Sequence, residues 1–463
     1  MIIHVRNFGK IETADIDLSN LVIFVGENNS GKTYLMQLIY GLFSFFYQST
    51  AIVSNNLANE LGEVFVKRFD EQGQILIRGD NTDFYNAFQT ALNNYISNNK
   101  ESIIESIFHT NSLSLDSLSV EFEPLPDEYS VSFTSNVEKE KEVFRRYSIN
   151  KNQQQLFTIG FGEAMPDTIA NYIKSSELVS LMLSDLTGLS INERNRRRGE
   201  KSFVYFPASR SGMLLLYANY LSNDKKNFSV EEDDYAIERN EQGSSENEYG
   251  LTEPVYDFLM FLLKYKRSEI TTEQNKDLLS FVEKHIINGH MEKDGSTMLY
   301  KPDTSDQLIP IYLSSSLVSE LAPLYQVLSG VQRFNYIMYD EIETCQHPTK
   351  QLQLARLLVR MVNLGYKMIV STHSDTMATA INNLITLSYK QNKKSLLEKL
   401  GYDDEDILRS AQVNAYQFIM ESGKTKVVEV PNHFSVGVGF DFDLFNAANK
   451  KKYDDAVTLA EVD

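Results

Sequence analysis

The sequence is poor in the features that mark secreted and membrane proteins. It has one cysteine, Cys345, in 463 residues, so no disulfide can form within the chain, and such sparing use favours a reducing compartment. Its longest apolar runs, such as Met213–Tyr217 and Phe258–Leu263, fall far short of the roughly 20 residues that span a bilayer. The opening MIIHVRNFGK lacks the apolar stretch of a secretory signal. We therefore expect a cytoplasmic protein without a membrane partner.

Positive charge is also scarce. The chain has 44 Lys and Arg against 63 Asp and Glu, a net charge of −19 at pH 7, which argues against general coating of nucleic acid. One basic segment stands out, residues 192–201 (NERNRRRGEK), with Arg194, Arg196, Arg197, Arg198 and Lys201. This segment predicts a local site for DNA phosphates or for an acidic protein. The alternative is a solvated loop paired with the acidic stretch 231–248.

The first fifty residues have the order strand, glycine-bounded loop, helix. Leu21–Val25 is an apolar run that predicts a buried strand, and Tyr34–Tyr47, with Gly41 as its only breaker, predicts a buried helix. Between them, GENNSGKT at 26–33 fits G-x-x-x-x-G-K-[ST] at every fixed position. The context is the one that a phosphate-binding P-loop requires.

A P-loop binds phosphates through its backbone N–H groups and the positive end of the following helix. Lys32 adds a positive charge, and Thr33 offers a hydroxyl ligand for Mg²⁺. We therefore expect ATP and Mg²⁺ as cofactors. The predicted nucleotide-binding residues of this loop are Gly26, Asn28, Asn29, Ser30, Gly31, Lys32 and Thr33.

Two acids follow a second buried strand, Phe334–Tyr339 (FNYIMY). Asp340 is predicted to hold Mg²⁺ directly or through water, so the expected metal ligands are Thr33 and Asp340. Glu341 is predicted to orient or deprotonate the attacking water, and Glu343 is a less specific third acid. A pair of solvated charges at a strand end is the alternative, but the apolar run before it favours the catalytic interpretation.

His373 comes shortly after the next predicted strand, Tyr366–Val370. Carboxyl ends of parallel strands meet at one edge of a sheet, so we expect His373 on that same edge, beside the γ-phosphate. Its imidazole would donate a hydrogen bond to the phosphate or hold the water. The expected catalytic residues are therefore Glu341 and His373.

The serines at 314–316 begin a predicted helix upstream of Asp340. Hydroxyl and free N–H groups at a helix N-terminus bind anions, and this makes Ser314 and Ser315 candidates for a phosphate contact. An ordinary helix cap explains one of these serines equally well.

Strands that alternate with helices and end in polar loops indicate an α/β fold with a mostly parallel sheet. We predict four segments: residues 1–48, the N-terminal part of an ATPase head; 49–200, an inserted α/β lobe; 201–307, a linking strand, acidic loop and short helical arm; and 308–463, the C-terminal part of the head. We find no internal repeat and no long heptad run, so an extended coiled coil is not expected.

Together these motifs resemble those of ABC-type ATPases. GENNSGKT, LSSS at 313–316, YDEIETCQHP at 339–348 and STHSD at 371–375 look like the P-loop, signature, Walker B with D-loop, and H-loop. The DE-x-E followed by HP, the opening strands and YFPASRSG at 205–212 are most similar to the SMC-like and OLD-like branch. Among antiphage ATPases, the chain most resembles the AriA type of PARIS systems, with the PtuA type of Septu systems a near rival.

The resemblance implies that a signature serine of one protomer completes the ATP site of another, so the active unit would be at least a head-to-tail homodimer or a larger ring. Ser316 and Leu317 stand where that family has a glycine and a glutamine. A Q-loop glutamine is not evident, and Arg210 is a candidate for coupling the nucleotide to the lobe.

The resemblance also implies a function in antiphage defence. The ATPase would hold a separate Toprim nuclease and release it on sensing a phage protein, such as an acidic DNA mimic. Alternatives are an SMC-like ATPase that clamps DNA and a PtuA-like ATPase that works with an HNH nuclease. We expect Asp441 and Asp443 to lie in an acidic surface turn, and the chain not to cut nucleic acid itself.

Overall fold

The computed structural model describes the chain except for residues 49, 63, 65–74, 111, 138–142, 162–166, 190–200, 215–250, 265–272, 295–296, 331–333 and 461–463. Its strands are β1 (Ile2–Phe8), β2 (Ile11–Asp17), β3 (Leu21–Gly26), β4 (Ile75–Ile77), β5 (Ser117–Glu121), β6 (Tyr129–Val137), β7 (Val143–Lys151), β8 (Gln154–Phe161), β9 (Phe203–Phe206), β10 (Gly289–Asp294), β11 (Thr297–Pro302), β12 (Ile309–Pro310), β13 (Tyr336–Tyr339), β14 (Lys367–Thr372), β15 (Val413–Glu421) and β16 (Lys424–Glu429).

The helices connect these strands and cover both faces of the main sheet. They are α1 (Lys32–Gln48), α2 (Thr50–Glu60), α3 (Thr82–Phe108), α4 (Asp167–Thr187), α5 (Glu253–Lys264), α6 (Glu273–Phe281), α7 (Ser316–Ser329), α8 (Pro348–Asn363), α9 (Asp375–Leu387), α10 (Lys393–Leu400) and α11 (Asp443–Ala460). A π-helical turn, Val282–Ile287, continues α6. Of the helices that the structure describes, none has the length and apolar character needed to cross a membrane.

One nine-stranded sheet carries the predicted motifs. Its strand order is β5-β1-β2-β16-β15-β3-β14-β13-β9, and the run from β15 through β3, β14 and β13 to β9 is parallel throughout. The carboxyl ends of β3, β14 and β13 therefore lie side by side at one edge, where parallel sheets bind ligands. The expected α/β fold with a mostly parallel sheet is confirmed.

The apolar strand runs exist because both faces of the sheet are covered. All six residues of β3 are buried. Val22 and Phe24 face a core shared with α1, whereas Leu21, Ile23 and Val25 face a core shared with α7 and α8. Alternate side chains thus enter opposite cores, so the strand reads as continuously apolar rather than as an alternating pattern.

The middle of the chain is more closely joined to the sheet than its composition indicates. A four-stranded antiparallel sheet, β4-β6-β7-β8, lies in the expected lobe, but β5 from the same range is the edge strand of the main sheet. Phe258 of α5 and Leu278 of α6, both in the expected helical arm, are buried in the core beneath the second face. The predicted segment boundaries themselves stay a prediction.

The C-terminal part of the chain also enters the main sheet. β15 pairs in parallel with β3, and β16 pairs in parallel with β2, so these two strands separate β3 from β2. The expected acidic turn at 441–443 leads directly into α11, with Phe442 buried. Strands from the N-terminal and the C-terminal parts of the chain therefore lie together in the half of the sheet that contains β3, the strand before the P-loop.

Candidate functional site

The loop between β3 and α1 includes residues with positive φ and passes close to neighbouring strands at its glycines. Asn29 and Gly31 have positive φ values of 62° and 101°. A Cβ atom on Gly26 would lie 2.8 Å from Cβ of Phe418, and one on Gly31 would lie 3.1 Å from Cγ1 of Ile11. A larger residue at either position would push the loop away from the neighbouring strands, so the octet fits a cradle of backbone N–H groups for phosphates.

Lys32 lies inside this cradle, with only 5% of its surface exposed. Its Nζ donates hydrogen bonds to the carbonyl oxygens of Gly26 at 3.0 Å and Glu27 at 2.8 Å. Burial lowers the pKa of Lys32 to about 8, although the nearby carboxylate of Asp340 acts in the opposite direction. The ammonium therefore binds carbonyl oxygens of its own loop. The negative charge of a bound phosphate would stabilise its protonated form.

A second lysine holds the loop from outside. Nζ of Lys10, in the turn between β1 and β2, donates to the carbonyl oxygen of Asn29 at 2.7 Å and to its Oδ1 at 2.8 Å. Ser30 is fully buried, whereas Asn28 is exposed at the rim of the loop. Lys10 could not be predicted from its sequence position, because it comes next to the loop only through the pairing of β1 with β2.

Asp340 is the centre of the site and is 1% exposed. Thr33 Oγ1 donates to its Oδ2 at 2.7 Å, Tyr205 O–H donates to the same oxygen at 3.1 Å, and Ser371 Oγ donates to its Oδ1. Burial raises the pKa of Tyr205 well above its usual range, so the phenol remains a donor. Sequence reasoning missed Tyr205 and Ser371, which lie at the ends of the neighbouring strands.

The oxygen atoms of Thr33 and Asp340 suit Mg²⁺. They converge within hydrogen-bonding distance, and Mg²⁺ in nucleotide sites takes one or two protein oxygens together with phosphates and water. The P-loop cradle and this pair of oxygens therefore fit a magnesium–nucleotide complex held by residues from β3, α1 and β13.

Glu341 directly follows Asp340 and adopts a left-handed backbone, with φ of 45°. Its N–H donates to Ser371 Oγ at 2.8 Å. Its side chain is 40% exposed, and Oε1 lies 3.7 Å from Nε2 of His373. The structure thus brings the two residues with predicted catalytic roles together at the carboxyl ends of β13 and β14.

His373 is half-buried and is held by its backbone. Its N–H donates to Glu343 Oε1 at 2.6 Å, so the third acid of the motif positions the segment that carries the histidine. Burial, together with the positive charge of Lys32, lowers the pKa of His373. The imidazole is therefore neutral at pH 7, with one nitrogen that donates and one that accepts.

Ser314 and Ser315, the serines with a predicted phosphate contact, lie at the N-terminus of α7. Ser315 is the N-cap of α7, where its Oγ accepts from the N–H of Val318 at 3.5 Å, and Ser314 Oγ donates to the carbonyl of Ile311 at 2.6 Å. Within the described part of the chain, neither serine is hydrogen-bonded to the P-loop or to Asp340. A contact of these serines with a nucleotide thus stays a prediction.

The basic segment requires one correction. Lys201 does not join an exposed cluster: its side chain is 16% exposed and forms ion pairs with Glu253 at 3.2 Å and with Asp257. These acids belong to α5, so Lys201 fastens that helix to the start of β9. The four arginines of the segment, Arg194, Arg196, Arg197 and Arg198, lie outside the described residues.

Comparisons with known proteins cover the whole site. The family model described as AAA ATPase domain matches residues 1–378, a range that contains the P-loop, Asp340, Glu341 and His373. No curated protein matches the chain.

Solved structures with low identity are also similar to the chain. An SMC head bound to the C-terminal winged-helix domain of ScpA has a TM-score of 0.35 at 11% identity, over 94% of this chain and 98% of that chain. The SMC head domain from Thermotoga maritima has a TM-score of 0.32 at 11% identity, over 93% and 98%. An SMC head with an extended coiled coil from Pyrococcus furiosus, bound to the C-terminal domain of ScpA, has a TM-score of 0.33 at 12% identity, over 93% and 95%.

Proposed function

The chain belongs to the AAA ATPase domain family, and from this premise we propose that it hydrolyses ATP with Mg²⁺ at the site built by residues 26–33, Asp340, Glu341 and His373. One observation carries the proposal. Thr33, on the P-loop helix, donates to Asp340 at 2.7 Å and so joins the loop to the strand end that presents Glu341. A phosphate cradle, a metal-binding oxygen pair and a candidate base thus share one sheet edge.

Each residue has a distinct proposed task. The magnesium–nucleotide complex supplies a phosphoanhydride bond whose γ-phosphate is open to attack by water. Protonated Lys32 and the loop N–H groups would bind the phosphates, and Thr33 and Asp340 would hold the metal. Glu341 orients the water and accepts its proton, while neutral His373, 3.7 Å from Glu341, donates a hydrogen bond at the γ-phosphate.

We further propose that this ATPase is a sensor and scaffold of bacterial antiphage defence. As a homodimer or larger ring, it would hold a Toprim-type nuclease and release it when an acidic phage protein binds. The sequence resemblance to the AriA type supports this proposal, as does the contrast between the −19 net charge and the local cluster of Arg194, Arg196, Arg197 and Arg198. Lys201 takes no part in that cluster, because it is paired with Glu253 and Asp257.

Co-expression with the products of the neighbouring reading frames tests the sensor proposal. A Toprim protein should co-purify with the wild-type chain and leave it when ATP and an acidic DNA-mimic protein are added. Lys32→Ala should retain the nuclease under both conditions, because it cannot bind ATP, whereas Lys399→Ala, on the exposed surface of α10, should behave like wild type. Reversal of Arg194, Arg196 and Arg197 to Glu should abolish the response to the DNA mimic.

Other outcomes contradict the sensor proposal in distinguishable ways. An HNH protein as the neighbour and partner would support the PtuA-like alternative. ATP-dependent retention of duplex DNA, with neither nuclease present, would support a DNA-clamping ATPase. Both of these outcomes leave ATP hydrolysis at Glu341 intact, because they concern only the partner.

A further inference from the structure

Arg210 is a buried arginine at the ATP site whose purpose neither the P-loop nor the catalytic acids explain. It lies in the loop PASRSG, directly after β9, and its side chain is 0% exposed. β9 pairs in parallel with β13, so this loop lies next to the strand end that carries Asp340 and Glu341. A buried guanidinium is unfavourable unless all its donors are satisfied, and its surroundings therefore indicate its function.

The guanidinium binds the backbone of the catalytic turn. Nη1 donates to the carbonyl oxygen of Asp340 at 2.6 Å and to that of Pro207 at 2.8 Å. Nη2 donates to the carbonyl oxygen of Glu341 at 3.2 Å. Its Cζ lies 4.4 Å from the ring centroid of Tyr339, the last residue of β13, so this ring packs against one face of the guanidinium.

These contacts flank the left-handed residue of the site. Glutamate has no intrinsic preference for φ of 45°, and a non-glycine residue keeps such a strained conformation only where the surrounding structure holds it. Ser371 Oγ accepts from the N–H of Glu341, and Arg210 binds its carbonyl oxygen. The peptide groups on both sides of the Glu341 Cα are thus held, and this fixes the direction in which its side chain leaves the backbone.

Arg210 also contacts the helix that follows the signature serines. Its Nε forms an ion pair at 2.9 Å with Oε2 of Glu320, which is 1% exposed and lies on α7. Oε1 of Glu320 accepts from the N–H of Ser211 at 3.1 Å. Glu320 lies little more than one helical turn after the N-cap, Ser315, so a movement of the α7 N-terminus would reach the guanidinium.

We propose that Arg210 is a positioning residue that fixes the left-handed turn at Glu341 and links it to α7 through Glu320. The proposal rests on the proposed ATPase function. The sequence makes Arg210 a candidate for coupling the nucleotide to the lobe, but its described contacts lie instead on the catalytic turn and on α7. Arginine suits this position because its rigid fork donates to three carbonyl oxygens while its charge pairs with the Glu320 carboxylate, and the single ammonium of lysine cannot match that geometry.

The test compares Arg210→Lys with wild type in ATP binding and steady-state hydrolysis. We expect kcat to fall by about 100-fold, as for a misplaced catalytic group, with the Kd for ATP unchanged. In the double variant, Arg210→Lys should not lower kcat below that of Glu341→Gln alone, because both changes impair the same catalytic step. Glu320→Gln, which keeps the side-chain size and the Ser211 contact, should lower kcat in the same direction without altering the Kd.

A matched control separates positioning from simple stability. Arg356, on α8, is also buried, and it forms an ion pair with Asp406 at 2.7 Å. Arg356→Lys should lower the melting temperature and leave kcat per folded molecule unchanged. The positioning role is wrong if Arg210→Lys lowers only the melting temperature and leaves kcat unchanged. It is also wrong if Arg210→Lys lowers the kcat of Glu341→Gln by a further factor. If Arg210→Lys fails to fold, Glu320→Gln alone decides through kcat. Absence of hydrolysis by wild type would instead overturn the ATPase proposal.

Discussion

At the scale of single residues, the burial of Lys32 makes the free energy of unfolding depend on pH. Burial lowers its pKa from 10.5 to about 8. The unfolded chain keeps this proton to a higher pH than the folded chain does. The contribution of Lys32 to the free energy of unfolding therefore becomes more favourable as the pH rises from about 8 toward 10.5.

ATP binding should show the opposite dependence, because the phosphates need the protonated ammonium. We expect the affinity for ATP to be constant below about pH 8 and to fall by up to about tenfold per pH unit above it. Calorimetry in two buffers of different ionisation enthalpy should detect proton uptake on binding above that pH. Lys399→Ala should leave the profile unchanged, and an affinity that stays constant through about pH 9.5 would contradict this role of Lys32.

Site residues could be predicted where they lie close together along the chain, and not where strand pairing brings them together. Gly26, Lys32 and Thr33 lie in one continuous loop, and their spacing reveals them. Lys10, Tyr205 and Ser371 were not predicted, since each reaches the site only through strand pairing between distant segments. A tyrosine or serine at a strand end has no local pattern that distinguishes it from core or surface.

At the scale of secondary structure, α7 presents Ser315 at an exposed N-terminus. Ser315 caps the helix, and Ser314 is bonded back to Ile311, so Ser315 is the better placed of the two for a phosphate of a second protomer. Asp is as good an N-cap as Ser. Ser315→Asp should therefore keep the free energy of unfolding while its negative charge repels the phosphate.

The matched variant Ser315→Asn retains a neutral cap of similar size. We expect Ser315→Asp to lose ATP-dependent dimerisation and to lower kcat by about 100-fold or more, whereas Ser315→Asn should be affected much less. Sedimentation with ATP and steady-state hydrolysis measure the two effects, and chemical denaturation checks the cap. Dimerisation and hydrolysis of Ser315→Asp at the wild-type level would show that Ser315 is only a cap.

Among the elements, β3, β13 and β14 could be predicted because continuous apolar runs precede polar loops. β15 and β16 are also strands of the main sheet, but they were not identified, because their mixed polarity gives only a weak alternation. The packing of α5 and α6 into the core was missed for a different reason. An amphipathic helix of an arm and one of a core have the same periodicity, and only the tertiary structure distinguishes them.

At the scale of the whole molecule, the parallel order β3-β14-β13-β9 explains why motifs hundreds of residues apart form one site. The P-loop, His373, Asp340-Glu341 and Arg210 follow these four strands in that spatial order. The same arrangement turns Lys201 inward at the start of β9. Of the predicted basic segment, only the four arginines therefore remain as candidates for binding an anionic partner.

Hydrolysis and nucleotide retention by Glu341→Gln measure the proposed catalysis most directly. Glutamine keeps the size of the side chain but cannot accept a proton from water, while the residues proposed to hold the nucleotide, Lys32, Thr33 and Asp340, are unchanged. We expect hydrolysis to fall by at least about 100-fold, with ATP retained and the dimer trapped on gel filtration. Hydrolysis by Glu341→Gln at the wild-type rate would show that Glu341 is not the catalytic base.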